Sequence, residues 1–239
     1  MDPASSPVAL LVALEAEARG LVRHLAPSTT QSPQLSIWAG SLEGTSVVLT
    51  LTGVGKVAAA LAAQFICDLF HPRCAISFGL AGGVMDDEPH GQLIVASGAL
   101  QHDMDARPLT DAKGTIPSFG EARFPADRPL SEKLRQSAES VVENPTRVIT
   151  GLVLTGDQII ASRALRGGLL RDFPEGCCFD METAAVAQVA HQNGIPWAGL
   201  RMTSDAADET FNLDDVLGFG VKTAAAVFEQ VLRGFLRDL

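Results

Sequence analysis

Short runs of apolar residues alternate with stretches of helical periodicity along the chain. The run at 8–14 is continuously apolar, which is typical of a strand buried on both faces of a sheet. The stretches 74–78 and 197–203 predict two more strands. Shorter apolar or alternating runs predict further strands at 36–39, 46–51, 93–99, 148–154 and 177–180. Strands that alternate with helices in this way predict one largely parallel sheet, covered by helices on both faces.

Apolar residues at helical spacing predict helices at 15–25, 57–70, 130–142, 162–171, 182–193 and 213–239, the last with a break near 218–220. Residues 101–127 are rich in proline, glycine and aspartate and lack periodicity, which predicts a long surface loop. No repeat or linker divides the sequence. It therefore predicts a single α/β domain over residues 1–239, with three layers and a mixed, mostly parallel twisted sheet flanked by helices.

The composition indicates a globular protein with an acidic surface. The chain has 239 residues, which suits one domain, and a formal net charge of -10. This charge argues against nucleic acid and anionic membrane as partners, because both bind through lysine and arginine. No apolar run approaches the roughly 18–20 residues that cross a bilayer. The N-terminal stretch has no basic leader and is interrupted by Glu15 and Glu17, so we expect a cytoplasmic protein.

Neither a metal site nor a cofactor site is predicted. The four cysteines form no CxxC pair and have no Cys/His ligand spacing, so zinc is not expected and reduced thiols are the simplest account. The glycine-rich stretches 52–60 (TGVGKVAAA) and 78–83 (FGLAGG) match neither the P-loop nor the GxGxxG spacing. They therefore support neither a nucleoside triphosphate nor a dinucleotide.

Carboxylates follow several predicted strands at the point where each strand ends. Glu15 and Glu17 follow the first strand, Asp180 and Glu182 lie at the end of the seventh, and Asp205 follows the eighth. Singly, each has an ordinary explanation, because acids in the first turn of a helix favour its dipole and a Ser-Asp pair can cap a turn. Together they predict a binding site, because ligands of open α/β sheets bind outside the carboxyl ends of the strands.

Seven short stretches occur in an order that is found in one enzyme superfamily. They are ALEAEA (13–18), TGVGKVAAAL (52–61), GLAGGV (79–84), HDMD (102–105), TGDQII (155–160), DMETAAVAQV (180–189) and RMTSDAAD (201–208). With them the chain resembles the purine nucleoside phosphorylase and nucleosidase superfamily, and within it the 5′-methylthioadenosine/S-adenosylhomocysteine nucleosidases. The resemblance spans nearly the whole chain and implies a nucleoside phosphorylase-like fold.

The resemblance also implies a reaction, the hydrolysis of the N-glycosidic bond between adenine and a 5′-thio-substituted ribose. Such a bond breaks through an oxocarbenium-like transition state. The leaving base must be protonated, the ribose must be held, and a water must be aimed at the anomeric carbon. No metal or organic cofactor is implied.

Site residues are carried over by position in the matching motifs. Asp205 matches the acid that protonates N7 of the purine, and Glu17 matches the carboxylate that activates the water. Glu182 matches the residue that binds both ribose hydroxyls, since one carboxylate has two acceptor oxygens. Met181 is implied to pack against the sugar and Ile160 to read the adenine edge. The remaining implied substrate contacts are Gly82, Leu80, Val54, Ile159, Phe179 and Ser204.

Two of the acids carry further expectations. The ordinary pKa of an aspartate is about 3.9, so acting as an acid near neutral pH requires either a raised pKa of Asp205 or proton sharing with the purine. Desolvation in an apolar pocket would raise this pKa. Asp180 is expected to serve the N-terminus of the following helix rather than the substrate.

The chain departs from the nucleosidase pattern around the base and the 5′ substituent. Leu80 stands where serine is usual, and Ile159 stands where an aromatic ring often stacks on adenine. Gln101 replaces a common tyrosine, and Ala106 replaces a usual valine. These differences leave the acid and the base in place and leave the identity of the 5′ substituent open.

Three other functions compete with this one. A purine nucleoside phosphorylase needs arginines for phosphate, whereas the corresponding loops here read ALEAEA and FGLAGG. A nucleosidase for another adenosine derivative, of the adenosyl hopanoid or futalosine type, agrees with the altered pocket. A non-catalytic binding protein would lose the acid or the base, but Glu17 and Asp205 are both present.

The resemblance finally implies a homodimer in which the loop with His102 and Asp103 lies near the partner's site. The alternative is that His102 is a solvated loop histidine. The predicted partners are thus a small-molecule nucleoside and a second copy of the chain, with neither nucleic acid nor membrane.

Overall fold

The structure is a computed structural model that describes residues 6–28, 35–86, 90–144 and 147–239. Ten strands lie in these ranges: β1 Val8–Val12, β2 Ala26–Pro27, β3 Ile37–Leu42, β4 Thr45–Leu51, β5 Cys74–Gly82, β6 Leu93–Gln101, β7 Arg123–Pro125, β8 Val148–Thr155, β9 Gly176–Asp180 and β10 Trp197–Asp205. The helices described there are α1 Glu15–Val22, α2 Lys56–Phe70, α3 Arg128–Val141, α4 Arg163–Asp172, α5 Thr183–Gln192, α6 Leu213–Phe219 and α7 Ala225–Arg237.

The strands form one mixed sheet in the order β10-β6-β8-β9-β5-β1-β4-β3-β2, with β7 paired to β6. β1 pairs in parallel with β4 and β5, β5 with β10, and β8 with β6 and β9. The hairpin strands β3 and β4 are antiparallel, as are β6 and β10. Because β1, β5 and β10 run the same way, their carboxyl ends meet at one edge of the sheet. At that edge Gly82 lies opposite both Asp205 and Phe179.

Helices cover both faces of the sheet, as its apolar strands predict. In β1, Val8, Leu10 and Val12 face a core with α1, α3 and α7. Ala9 and Leu11 face the opposite core, with α2 and α5. A strand that is apolar at every position is therefore buried on both sides. No helix within the described ranges is long and apolar enough to cross a membrane.

The prediction of an unstructured surface loop over 101–127 is wrong in part. β7 pairs with β6 inside this segment, and Ile116 is bridged to Glu121. Phe124 is buried and lies edge-on to Phe119, with ring centroids 5.9 Å apart. The segment is held by a few large apolar side chains, which a search for regular spacing does not detect.

The C-terminal helix is broken where its glycines predict. α6 ends at Phe219, a π-helical turn spans Gly220–Ala224, and α7 continues from Ala225. The π-helical turn interrupts the α-helical hydrogen-bond pattern, while the backbone at both junctions stays helical.

Candidate active site

A cavity of about 170 Å³ opens at the carboxyl ends of β1, β5, β9 and β10. All eleven residues predicted to bind or act on a substrate line it: Glu17, Val54, Leu80, Gly82, Ile159, Ile160, Phe179, Met181, Glu182, Ser204 and Asp205. They come from distant parts of the chain. The parallel strands β1, β5 and β10 end at a common edge, and β9, which is antiparallel to β5, meets that edge where Phe179 lies opposite Gly82.

Sequence reasoning missed one wall of the cavity. Phe211 and the α6 residues Leu213, Val216 and Leu217 line it as well. Their apolar spacing predicted a helix, but it gave no indication of what the helix packs against. The signal that could have indicated this wall is the short distance in sequence, since Phe211 lies only six residues after Asp205.

Glu17 is buried in the first turn of α1, with a backbone N–H on each carboxylate oxygen. The Oε1 atom accepts from the Leu80 amide at 2.7 Å, and Oε2 accepts from the Leu14 amide at 2.9 Å. A Cβ at Gly79 would come within 2.9 Å of Glu17 Oε1 and also clash with Arg201, so glycine permits this approach. Burial raises the pKa of Glu17, against the opposing effect of these hydrogen bonds.

Asp180, which is among the residues that line the cavity, forms a buried ion pair with Arg201. Arg201 Nη2 lies 2.8 Å from Asp180 Oδ2, and Arg201 is 1% exposed. The same carboxylate accepts from the Thr183 amide at 2.9 Å at the start of α5, and from Thr155 Oγ1 at 2.5 Å. Asp180 therefore does serve the helix terminus, and it also neutralises the arginine, which the sequence did not indicate.

Glu182 lies just before α5, and its Oε1 accepts from the Gly55 amide at 2.9 Å. Burial, followed by the negative charge of Asp180, raises the pKa of Glu182 to about 7. The neighbouring Lys56 anchors the Gly55 turn, since its Nζ lies 2.6 Å from Asp103 Oδ1. Its backbone amide also donates to Asp157 at 2.7 Å. Gly55, whose amide holds Glu182, is thus followed by a lysine that is bonded to Asp103 and Asp157.

Asp205 ends β10 and is held by its own turn. Its Oδ2 accepts from Ser204 Oγ at 2.8 Å, and Oδ1 accepts from the Ala207 amide at 2.8 Å. A Cβ on Gly82 would lie 3.3 Å from Asp205 Oδ1, so the absence of a side chain there lets β5 pass close to the acid. Burial raises the pKa of Asp205. This is the direction that an acid working near neutral pH requires.

His102 is not a solvated loop histidine, because its side chain is 1% exposed. The ring stands edge-on to Phe179 with centroids 6.2 Å apart, and a Cβ at Gly156 would clash with it. Burial lowers the pKa of His102, which favours the neutral ring. The histidine packs behind the Phe179 wall of the cavity.

Among the described residues, no group of three or more histidine, cysteine, aspartate or glutamate side chains is arranged to hold a metal ion. Within the part of the chain that the structure describes, no lysine or arginine lines the cavity either. Its chemistry comes from Glu17, Glu182 and Asp205, set in apolar walls.

The chain matches known proteins over almost its whole length. The family model of the phosphorylase superfamily matches residues 7–237. The 5′-methylthioadenosine/S-adenosylhomocysteine nucleosidase of Shewanella sp. (strain W3-18-1) is 31% identical over 208 residues, which cover 87% of this chain and 89% of the relative. The enzyme of the same name from Anoxybacillus flavithermus is 32% identical over 207 residues, with 86% and 88% covered.

Solved structures agree with this match. The Neisseria meningitidis 5′-methylthioadenosine/S-adenosylhomocysteine nucleosidase, in complex with methylthio-immucillin-A, superposes with a TM-score of 0.88 at 31% identity and covers 98% of this chain and 100% of that chain. The S-adenosylhomocysteine nucleosidase of Streptococcus pyogenes, in complex with 5-methylthiotubericidin, gives 0.90 at 26% identity, with 98% of each chain covered.

A sheet of this topology with an acid-lined cavity at its carboxyl edge defines a nucleoside phosphorylase-like protein, and the chain belongs to the phosphorylase superfamily. Within that superfamily it is similar to the 5′-methylthioadenosine/S-adenosylhomocysteine nucleosidases. The family resemblance and the predicted fold class are both confirmed.

The raised pKa of Glu182 gives a test of the site without substrate. The folded-state pKa of about 7 lies above the ordinary value of 4.5, so ionisation opposes folding as pH rises through this window. We expect Glu182→Gln to be more stable than wild type by about 1–3 kcal/mol at pH 8, since one pKa unit corresponds to about 1.4 kcal/mol. The gain should largely vanish at pH 4.5.

Urea unfolding of both proteins at several pH values measures this difference. The control is Glu121→Gln, a glutamate that is exposed to solvent. A Glu182→Gln gain that is equal at both ends of the pH range would contradict the assignment of a buried, ionising carboxyl.

Proposed function

We propose that this protein is an N-glycosyl hydrolase that releases adenine from 5′-methylthioadenosine and S-adenosylhomocysteine. The observation that carries the proposal is the meeting of Glu17, Glu182 and Asp205 in one cavity, the first and last with pKa values raised by burial. The names of the relatives support the same activity, and it is the activity that the sequence predicts.

Asp205 is the proposed acid. It gives a proton to N7 of adenine as negative charge builds on the leaving base. Because its pKa is raised, a larger fraction of Asp205 is protonated at a given pH than of an exposed aspartate. The Ser204 hydroxyl and the Ala207 amide fix both oxygens, so the proton is delivered in one direction. Ile160 and Phe179 are the proposed walls of the adenine subsite.

Glu182 and Glu17 are proposed to serve the sugar side. Glu182 accepts from the ribose hydroxyls and holds the ring in place, with Met181 packed beside it. Glu17 takes a proton from the water that attacks the anomeric carbon, and its raised pKa makes it a stronger base than an exposed glutamate. Both carboxyls are anchored by backbone amides, so little reorganisation is needed at the moment of reaction.

Hydrolysis is preferred over phosphorolysis on grounds of charge. Phosphate sites use arginine or lysine, and none of the described residues that line this cavity is a lysine or an arginine. Arg201 is buried, and its guanidinium is paired with Asp180 and donates to Thr183 and Ser77. A phosphate beside Glu17 would meet a carboxylate, and the described lining residues offer no positive charge to offset it.

A second candidate substrate follows from the mouth of the cavity. Val54, Ile159, Leu213 and Leu217 line it and remain exposed. Exposed aliphatic clusters of this kind at a pocket often contact an apolar part of a ligand. An adenosine with a larger hydrocarbon at the 5′ position, of the adenosyl hopanoid type, would cover them.

A homodimer is also proposed, with α2 at its interface. Val57 and Leu61 are 71% and 66% exposed, and Leu69 continues the same apolar stripe. The stripe begins beside the Asp103 loop, to which Lys56 is bonded. A second copy seated on α2 would therefore lie next to that loop, as the resemblance implies.

The reaction is tested by incubating the purified protein with 5′-methylthioadenosine, with and without phosphate, and resolving the products by mass. We expect adenine and methylthioribose at a rate that phosphate does not change. Phosphate-dependent formation of methylthioribose-1-phosphate would contradict the charge argument. If this substrate is inert while an adenosine with a longer apolar 5′ group is cleaved, the second candidate is the correct one.

The two catalytic roles are tested by Asp205→Asn and Glu17→Gln. Each variant keeps the size of the side chain and loses the proton transfer, so each should lower kcat by at least about 100-fold. Glu15→Gln is the matched control, because Glu15 lies in the same helical turn but is exposed. Near-wild-type turnover by either folded catalytic variant would remove that residue from the mechanism.

The dimer is tested by Leu61→Glu, which places a charge in the apolar stripe. Light scattering should change from a dimer mass for the wild type to a monomer mass for the variant, since an unpaired charge in an apolar contact is costly. Leu165→Glu, on α4, should leave the mass unchanged. A wild type that is monomeric at all concentrations, or a Leu61→Glu variant that remains a dimer, would contradict the proposed interface.

A further inference from the structure

Arg166, on α4, is a buried arginine that joins two loops at the edge of the cavity. It is 6% exposed. Its Nη1 donates to the Ala206 carbonyl at 2.6 Å and to the Met85 carbonyl at 3.2 Å, and its Nη2 pairs with Asp86. Ala206 directly follows β10, whereas Met85 and Asp86 follow β5. One guanidinium thus ties together the two strand ends that meet at Gly82.

The carbonyl that Arg166 holds belongs to the turn that holds the acid. Ala206 directly follows Asp205, and the amide of the next residue, Ala207, donates to Asp205 Oδ1 at 2.8 Å. Ala207 is fully buried and has a φ of 51°, in the left-handed region. That conformation is unfavourable for a residue with a Cβ and persists only where the surroundings impose it.

A second arginine of the same helix engages the far end of this turn. Arg163 Nη2 lies 3.2 Å from Asp208 Oδ2, and its backbone amide donates to Glu209 at 3.1 Å. Asp208 in turn accepts from the amide and the hydroxyl of Thr210 at 2.9 and 2.6 Å. The 205–210 turn is therefore bonded to α4 at two places after Asp205, at Ala206 and again at Asp208 and Glu209.

α4 also follows the segment proposed to read the base. It begins at Arg163, three residues after Ile160. Ser162 is its N-cap, and the Ser162 hydroxyl accepts from the Leu165 amide. Any movement of α4 would shift the Ile160 wall and the Asp205 turn together. The helix connects the two parts of the cavity that are assigned to the base.

We propose that Arg166 is a positioning residue for Asp205, and that with Arg163 it locks the 205–210 turn so that the acid points at the leaving base. The proposal rests on the proposed function in assigning the acid to Asp205. Charge-assisted bonds from a buried guanidinium to backbone carbonyls are strong and directional, so the turn has one arrangement while they are present. Without them the left-handed residue relaxes and the carboxyl loses its direction.

The test is Arg166→Gln, measured as kcat and KM for 5′-methylthioadenosine over a range of pH. We expect kcat to fall at least about 10-fold with little change in KM, because small misplacements of a catalytic group cost up to about 100-fold in rate. The high-pH limb should move to lower pH, because a loosened turn admits water and lowers the pKa of Asp205 toward its ordinary value. Arg166→Lys should recover part of kcat, since an ammonium reaches one carbonyl but not all three partners.

Arg171→Gln is the matched control, an exposed arginine on the same helix, and should behave as wild type. Hydrogen exchange gives a readout that is independent of activity. In Arg166→Gln the Ala207 amide should exchange at least about 10-fold faster while amides of the buried α7 core are unchanged, as expected of a local opening. An unchanged pH limb together with unchanged exchange at Ala207 would overturn the proposal.

A variant that fails to fold and a wild type that fails to cleave the substrate are distinguished by further measurements. If Arg166→Gln does not fold, the same exchange measurement on Arg166→Lys and Arg163→Gln decides the matter, and unchanged exchange at Ala207 in both would overturn the clamp. If the wild type does not cleave 5′-methylthioadenosine, the proposed substrate fails. Exchange at Ala207 then supports or refutes the locked turn by itself.

Discussion

The buried ion pair between Asp180 and Arg201 is the interaction on which the rest of the site depends. Arg201 lies in the middle of β10 and Asp180 at the end of β9, and the pair is closed off by Thr155, Thr183 and Ser77. Removal of one partner of such a pair leaves an unpaired buried charge, at a cost of about 3–5 kcal/mol. The pair and its partners therefore connect the ends of β8 and β9 to the middle of β10 and to Ser77 in β5.

The same pair sets the electrostatics of the cavity, which Asp180 helps to line. Burial raises the pKa of both Glu17 and Glu182, and the positive charge of Arg201 lowers both against that effect. The negative charge of Asp180 raises the pKa of both glutamates. The net charge of the pair is near zero, so desolvation by apolar walls remains the largest influence on the two glutamates. The raised pKa values of the two glutamates therefore come from burial, and Arg201 limits the size of the rise.

Predictions from the chain were most successful where the signal is local. The apolar runs gave eight of the strands, and the motif order gave eleven residues that share one cavity. They failed where a few isolated side chains decide the structure. The buried Phe124 holds part of the 101–127 segment as a strand, and the burial of His102 depends on Phe179, which lies far from it in sequence. Neither contact has a period or a motif that sequence reasoning can use.

The sequence by itself determined the alternation of strands and helices, the membership of the superfamily and the positions of the proposed acid and base. These are encoded in short stretches whose spacing can be read without knowledge of distant neighbours. Only the tertiary structure decided that α6 closes one wall of the cavity, that Arg201 neutralises Asp180, and that Arg166 holds the Asp205 turn. Each of these depends on strand pairing and helix packing between segments well separated in the chain, and such contacts are fixed by the complete fold.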